Sequence, residues 1–304
     1  MTSLTWRRSL RFHSEAMLAR LALALLRALG PVTASNLGGA VCRTVGPLLA
    51  ASRIAETNLR HALPELDPPA RRRIIHGVWD NLGRTVAELP HLPDLHRTAH
   101  GPGWEMVGEE IVRAQALRGG PLVFVSAHFG NWELLPRAAA ACGLPCASFY
   151  RTASNPVTNR IIADLRTSAV GADMPAFSKG ASGARGALAY LARGGAVAML
   201  VDQKMNEGIE ARLFGHPVMT PVAAAAFALR FRCPVIAAHV ERLGPARFRV
   251  LVDAPLDLPA TGDRHADIAA LTQAINDRLE QWVRAQPESW LWLHRRFPKE
   301  VYRR

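Results

Sequence analysis

Cysteine is scarce in this chain. The four in 304 residues, Cys42, Cys142, Cys146 and Cys233, are too few and too scattered for a disulfide framework. Cys142 and Cys146 form a C-x3-C pair, but no second pair follows at zinc-site spacing, so buried free thiols and no metal are expected. A reducing compartment suits that usage. Lysine is scarcer still: only Lys179, Lys204 and Lys299 stand among 37 basic residues, and the other cations are arginines. With 25 acidic residues the formal net charge is +12. Arginine used for lysine beside abundant alanine reflects composition, so part of this charge carries no function. The remainder suits an anionic partner, whether nucleic acid, an acidic membrane surface or an acidic carrier protein. No lysine tract or nucleic-acid motif is present, and the arginines are spread along the chain, which disfavours nucleic acid. At 49% hydrophobic and 20% charged residues, the composition is that of a folded chain rather than a disordered or multispan one.

Long uninterrupted apolar runs are also missing. Arg7, Arg8 and Arg11 precede an apolar stretch over 16–29 that superficially resembles an export signal, and Arg7-Arg8-Ser9-Leu10 resembles a twin-arginine signal. Arg20 and Arg27 interrupt the run, no clean A-x-A site follows, and it falls short of the ~20 residues a bilayer span needs. Leu18, Leu21, Leu25 and Leu29 share a helix face opposite the two arginines. Such a helix either lies in a membrane interface with its arginines toward anionic headgroups or packs on the core. Residues 1–50 are accordingly expected as an N-terminal, membrane-associating helical segment. Gly46-Pro47 argues against one long helix there.

The remainder, 51–304, divides into a helical part over 51–103 and an alternating part over 104–304. Pro68-Pro69 opens a helical pattern running through Ile75, Val78, Trp79, Leu82 and Val86. The stretch 90–103, with His91, His96 and His100 among prolines and glycines, reads as a connection. Beyond it, apolar strand patterns at 122–126, 146–150, 197–201, 235–240 and 248–252 alternate with helical patterns at 132–142, 155–168, 181–193, 219–231 and 264–285. Near-continuous apolar strands between helices predict an α/β fold: a mixed, largely parallel central sheet covered by helices on both faces.

The sharpest local signal follows the strand LVFVS: Ser126-Ala127-His128-Phe129-Gly130-Asn131-Trp132-Glu133. Strand ends in such sheets collect active-site residues. His128 and Glu133 would stand about 140° apart on one helix, but with His128 in the loop and a helix starting near Asn131 the carboxylate can meet the imidazole. A carboxylate on one ring nitrogen fixes the tautomer and raises the basicity of the other, giving a general base aimed at a hydroxyl. Backbone N–H groups around Gly130 and Asn131, at the helix start, are candidate substrate or oxyanion contacts. Gly180-Ala181-Ser182-Gly183-Ala184 lacks the second glycine of a nucleophile elbow.

H-x4-[DE] after an apolar strand resembles the signature of the glycerolipid and lipid A acyltransferase superfamily. The fuller string AHFGNWEL resembles the late acyltransferases of lipid A biosynthesis, the lauroyl and myristoyl transferases. Asn58-Leu59-Arg60 with Leu63-Pro64-Glu65-Leu66 resembles that family's N-L-R…F-P-E-L element, with Leu63 replacing the usual aromatic. Asn81-Leu82-Gly83-Arg84 with Glu88, and Val107-Gly108-Glu109, continue the likeness. So do Asp202-Gln203-Lys204 with Gly208 and Phe214-Gly215, and Trp290-Leu291-Trp292-Leu293-His294-Arg295-Arg296 near the end. The likeness spans residues 5–298.

The resemblance implies transfer of a fatty acyl chain from a thioester of acyl carrier protein or coenzyme A to a hydroxyl of a lipid A precursor. It implies no cofactor, and a place on the inner membrane, peripheral or monotopic, with the site facing the cytoplasm. His128 matches the family's base and Glu133 its acidic partner. Arg166, Asp202 and Arg151 match residues near the site, Arg151 with acceptor phosphate; each could equally anchor a loop. Trp290 reads as core, and Trp292 is left open between core and membrane interface. The same chemistry would serve another acceptor, such as a phosphoinositol mannoside, ornithine lipid or glycerophospholipid. A catalytically dead homologue is disfavoured by the presence of both His128 and Glu133.

Overall fold

A computed structural model describes residues 3–150, 155–171 and 174–303, with side chains from residue 11 onward. The N-terminal third is helical: α1 (Ser3–Ala28), α2 (Pro31–Val45), α3 (Ala50–Ala62) and α4 (Pro68–Glu88). Gly46-Pro47 breaks α2 from α3 as expected, with a single 3-10 turn between them. Asp67 starts α4, its carboxylate accepting the Ala70 N–H at 2.7 Å, and Pro68 fills the first turn where no N–H is needed. Helices α2 and α4 touch backbone to backbone where Gly38 meets Gly83. A Cβ on either would stand within 2.4 Å of the other's carbonyl oxygen, so the crossing requires both glycines.

The alternating part contributes β1 (Gly103–Val107), α5 (Glu109–Arg118), β2 (Leu122–Ser126), α6 (Leu135–Ala141), β3 (Cys146–Tyr150), α7 (Pro156–Val170), β4 (Ala176–Ser178), α8 (Ala181–Ala192) and β5 (Ala196–Leu200). It continues with β6 (Ile209–Leu213), β7 (His216–Thr220), α9 (Ala223–Phe231), β8 (Val235–Gly244), β9 (Arg247–Val252) and α10 (Arg264–Ala285). Seven strands form one sheet in the order β1-β9-β8-β2-β5-β3-β4. The block from β8 to β4 is parallel, and β9 runs antiparallel to β8 with β1 parallel to it, so the sheet is mixed and largely parallel.

Alternation within strands divides the core in two. On one face Val123, Val125, Val197, Val235 and Ala237 pack against α3, α4, α8, α9 and α10. On the other, Leu122, Phe124, Ala196, Ile236 and Ala238 meet α5 and α6, with α7 beside them. Helices therefore cover both faces.

Two sequence expectations change. Residues 219–222, at the start of the helix expected over 219–231, are not helical: Phe214-Gly215, both with positive φ, turn a hairpin, β7 pairs antiparallel with β6 through Thr220, and the helix begins only at Ala223. Residues 132–134 form a 3-10 turn before α6. The edge strand β4, of three residues, is too short to announce itself.

The Leu18–Leu25 face of α1 does not pack on the core. Leu18, Leu21 and Leu25 are each over 60% exposed, while Arg27 on the inner side reaches the Pro90 carbonyl and pairs with Asp94. Among the described residues, no helix is long and apolar enough to cross a membrane.

Candidate active site

The sheet register builds the site. Strand β2 pairs in parallel with β5 so that Ser126 stands opposite Leu200, and the Val201 N–H donates to the Ser126 carbonyl at 2.9 Å. Two residues beyond those paired ends stand His128 and Asp202. The His128 Nδ1 hydrogen-bonds Asp202 Oδ1 at 2.9 Å, and the His128 backbone N–H donates to Oδ2 at 2.9 Å. Trp290 Nε1 donates to the same Oδ2 at 2.9 Å. Asp202 is thus fully buried, and three donors hold its carboxylate.

Burial alone would raise the Asp202 pKa, but His128, and more weakly His294, hold it far below the usual carboxylate range. Burial would likewise depress His128, but the Asp202 charge and hydrogen bond outweigh it and hold the imidazole above its ordinary value. Lys179 opposes that rise and Glu133 adds to it. The pair is therefore a charged carboxylate fixing one ring nitrogen, which leaves Nε2 to accept a proton. His294 lies 6.4 Å from His128 between ring centroids, and burial keeps its pKa below the ordinary imidazole value.

The expected His128–Glu133 hydrogen bond is not formed. The 3-10 turn at Trp132–Leu134 carries Glu133 toward α7, where both its oxygens engage the Arg166 guanidinium, at 2.8 and 2.5 Å, and Trp132 Nε1 donates to it at 3.2 Å. Glu133 acts on His128 only through space. Asp202, expected to contact substrate, instead lies behind the imidazole.

The loop residues are corrected as well. The Gly130 N–H donates to the Ser289 carbonyl at 2.9 Å, and the His128 and Phe129 N–H groups are also taken, so none of these three can serve an oxyanion. Gly130 is required for another reason. Its φ is +56°, and a Cβ there would stand 1.7 Å from the Val240 carbonyl oxygen. Asn131 is fully buried and donates to Glu88 at 2.8 Å rather than facing substrate. Arg151 lies outside the described residues.

Helix α4 supplies what holds this loop. Asn81 Nδ2 and Thr85 Oγ1 donate to the Gly130 carbonyl at 3.0 and 3.2 Å. The buried Glu88 takes Asn131, Ser35 and the Arg242 guanidinium. The chain's end is pinned in the same way. Asn58 Nδ2 donates to the carbonyls of Trp292 and His294, and the buried Arg296 donates to the Met219 carbonyl and Thr220 Oγ1. Both Trp290 and Trp292 are buried, so neither reaches a membrane interface.

Beside the pair lies a cavity of about 250 Å³ between the sheet and helices α5 to α7. Trp132, Glu133 and Arg166 line it, and the His128 ring stands 5.1 Å from Trp132 between centroids. Much of its wall is apolar and built of small residues, including Ala138, Ala139, Ala198 and Ala238. Such a site offers a base and a largely apolar chamber, and among the described residues that line it no serine or cysteine is hydrogen-bonded to a histidine or a carboxylate.

The profile of the bacterial lipid A biosynthesis acyltransferase family matches residues 6–299. The chain belongs to that family. No curated protein matches it. As an acyltransferase of this family it is an enzyme with an acyl donor and a lipid acceptor, and the recurring sequence elements acquire physical tasks. Asn58, Asn81, Glu88, Trp290 and Arg296 hold the loop and the tail around His128 and Asp202. The pairing of Asp202 with His128 depends on which strand neighbours β2, and that of Trp290 with Asp202 on how the chain's end docks, so neither was legible in the sequence.

Proposed function

We propose that this enzyme transfers a fatty acyl chain from an acyl carrier protein thioester, or one of coenzyme A, to a hydroxyl of a lipid A precursor at a membrane surface. The observation that carries the reading is the His128–Asp202 pair standing beside an apolar cavity at the strand ends. A lipid hydroxyl is too weak an acid to ionise at neutral pH. His128 Nε2 takes its proton as the oxygen attacks the thioester carbonyl carbon. The tetrahedral intermediate then collapses, the C–S bond breaks, and the imidazolium returns the proton to the departing thiolate. Ester and free thiol result, with no acyl-enzyme. Asp202 stabilises the imidazolium in between, and a positioned base of this kind is worth ~10²–10⁴-fold.

The test uses purified enzyme, an acyl carrier protein donor and an under-acylated lipid A precursor, with product mass as the readout. His128→Ala should abolish transfer and retain the wild-type Tm. Near-normal turnover by that variant, or a stable acyl adduct on the protein when acceptor is withheld, would overturn the mechanism. Other lipids carrying hydroxyls serve as competing acceptors, and preference for one of them would replace the lipid A assignment.

The outward leucine face of α1 supports seating on a membrane. Further exposed leucines stand at the turn after α2, where Leu48 is 84% exposed beside Leu49. Arg20 on α1 is exposed to meet anionic headgroups, as is Arg43 on α2 beside its partner Asp80. Replacing Leu18, Leu21 and Leu25 together by Glu should release the enzyme from anionic vesicles in flotation while leaving the Tm unchanged, because those side chains touch little. Unchanged flotation would refute this seating. The net charge of +12 suits an acidic carrier protein, and initial rates with that donor should fall as salt rises.

A further inference from the structure

The cavity beside His128 crosses the sheet, lined by residues of all seven strands, and its wall steps two residues along the strands at β9 and again between β8 and β2. Met106 on β1 stands opposite Val250 on β9, Val252 opposite Ala238 on β8, and Phe124 on β2 opposite Ala198 on β5. Ala198 in turn faces Ser148 on β3, which faces Ala176 on β4. All of these residues line the cavity. The strand that delivers His128 is the middle one of the seven, so the lining extends as two arms, one on each side of it.

The arms differ in chemistry. Toward β4 the lining includes Ser148, Tyr150 and Asn159, and it ends at Pro175 and Ala176, which are exposed to solvent. Toward β1 it is formed by Ala238, Val250, Val252, Val112 and Met106; Val112 and Val250 are each only 1% exposed, and the half-buried Met106 separates the cavity from a surface groove at Arg97, Thr98 and Glu105. An apolar tail gains most from the arm lined by apolar side chains, while a polar carrier arm is better served by the one that carries polar groups and ends at exposed residues. From β2 to β1 is three strand spacings, about 14 Å at roughly 4.8 Å each.

We propose that the acyl tail lies in the β1-side arm and that Met106 is its floor, so that Met106 sets the longest acyl chain the enzyme accepts. The Cys142 thiol donates to the Met106 sulfur at 3.6 Å, which restrains a side chain that would otherwise be free to yield. Cys142 is itself buried, on the turn that ends α6. A donor whose last methylenes exceed this space must displace Met106 or leave its own end unburied. In an apolar pocket one methylene too many or too few changes kcat/KM by about 10–200-fold.

This inference rests on the acyl-transfer reading, and the experiment separates the two. Wild type, Met106→Ala and Met106→Trp are each given a series of straight-chain acyl thioesters of increasing length. Transfer is measured with acceptor, and the rise in Tm is measured with each thioester alone. Met106→Trp should lower kcat/KM for the wild type's best donor at least tenfold while sparing shorter ones, and Met106→Ala should raise it at least tenfold for a longer donor. The Tm profiles should shift in the same directions. Superimposable length profiles for all three proteins would overturn the floor. If Met106→Trp does not fold, Met106→Ala decides alone, since it only removes atoms. Shifted Tm profiles without acyl transfer would uphold the floor and count against the proposed reaction.

Discussion

The two faces of the sheet are packed by different rules. Against one face α3, α4 and α10 and the chain's end bring Trp79, Trp282, Trp290, Trp292 and Phe297, all buried. Against the other, α6 and α7 present alanines and leave a cavity. The dense face holds Asp202 from behind, since Trp290 donates to it, and the thin face leaves room for an apolar substrate in front. Rigidity on one side and space on the other are what a reaction between a fixed base and a long hydrocarbon chain requires.

The largest expected effect tests the dense side. Asp202→Asn should lower kcat by about 10⁴-fold, because an amide neither stabilises the imidazolium nor fixes the productive tautomer. A variant losing less than tenfold, measured with saturating donor and acceptor, would show that the Trp290-anchored carboxylate is not what activates His128. Next is Gly130→Ala, which should cost at least about 3 kcal/mol in urea unfolding, since the new Cβ meets the Val240 carbonyl at a φ that disfavours side chains. Full stability there would mean that the loop can relax away from its anchors.

How far the sequence disclosed this arrangement can be read from particular residues. His128 was legible because it follows an apolar strand directly, and the α/β alternation was legible from strand and helix periodicity. The partner of His128 was not. Glu133 is close in sequence, whereas Asp202 reaches His128 only because β5 neighbours β2 in register, and strand order is a tertiary property that no local pattern encodes. Gly130 and Asn131 resembled substrate contacts for the same reason. Their bonds to Ser289, Asn81 and Glu88 depend on how α4 and the chain's end dock. The outward leucine face of α1 was readable as a face, but its direction was not.

A pair of equal insertions compares the faces directly. Ala237→Leu, on the dense side and wholly buried, should cost about 1–3 kcal/mol by overpacking. Ala198→Leu points into the cavity and should change stability by less than about 1 kcal/mol while impairing transfer of long chains. Equal stability losses at both positions, by urea unfolding, would erase the distinction between the faces.

The smallest effect is a displacement of the pH–rate profile, and its sign is informative. His128 must be neutral to accept a proton, so activity is lost as pH falls through its pKa. Asp202 holds that pKa above the ordinary imidazole value of about 6.5 against the depressing effect of burial, so the acid limb should lie above that pH. Glu133 adds to the rise through space. Glu133→Gln removes a negative charge and leaves the Arg166 cation uncompensated. Both changes disfavour the imidazolium, so the limb should move to lower pH, by less than about one unit. Lys179 opposes the rise, so Lys179→Gln should move the limb to higher pH. Opposite displacements identify both residues as charges acting on His128 through space. Displacements of the same sign would mean that Glu133 and Lys179 act by holding position, and the site would then depend on Glu133 in a way its ion pair with Arg166 does not convey.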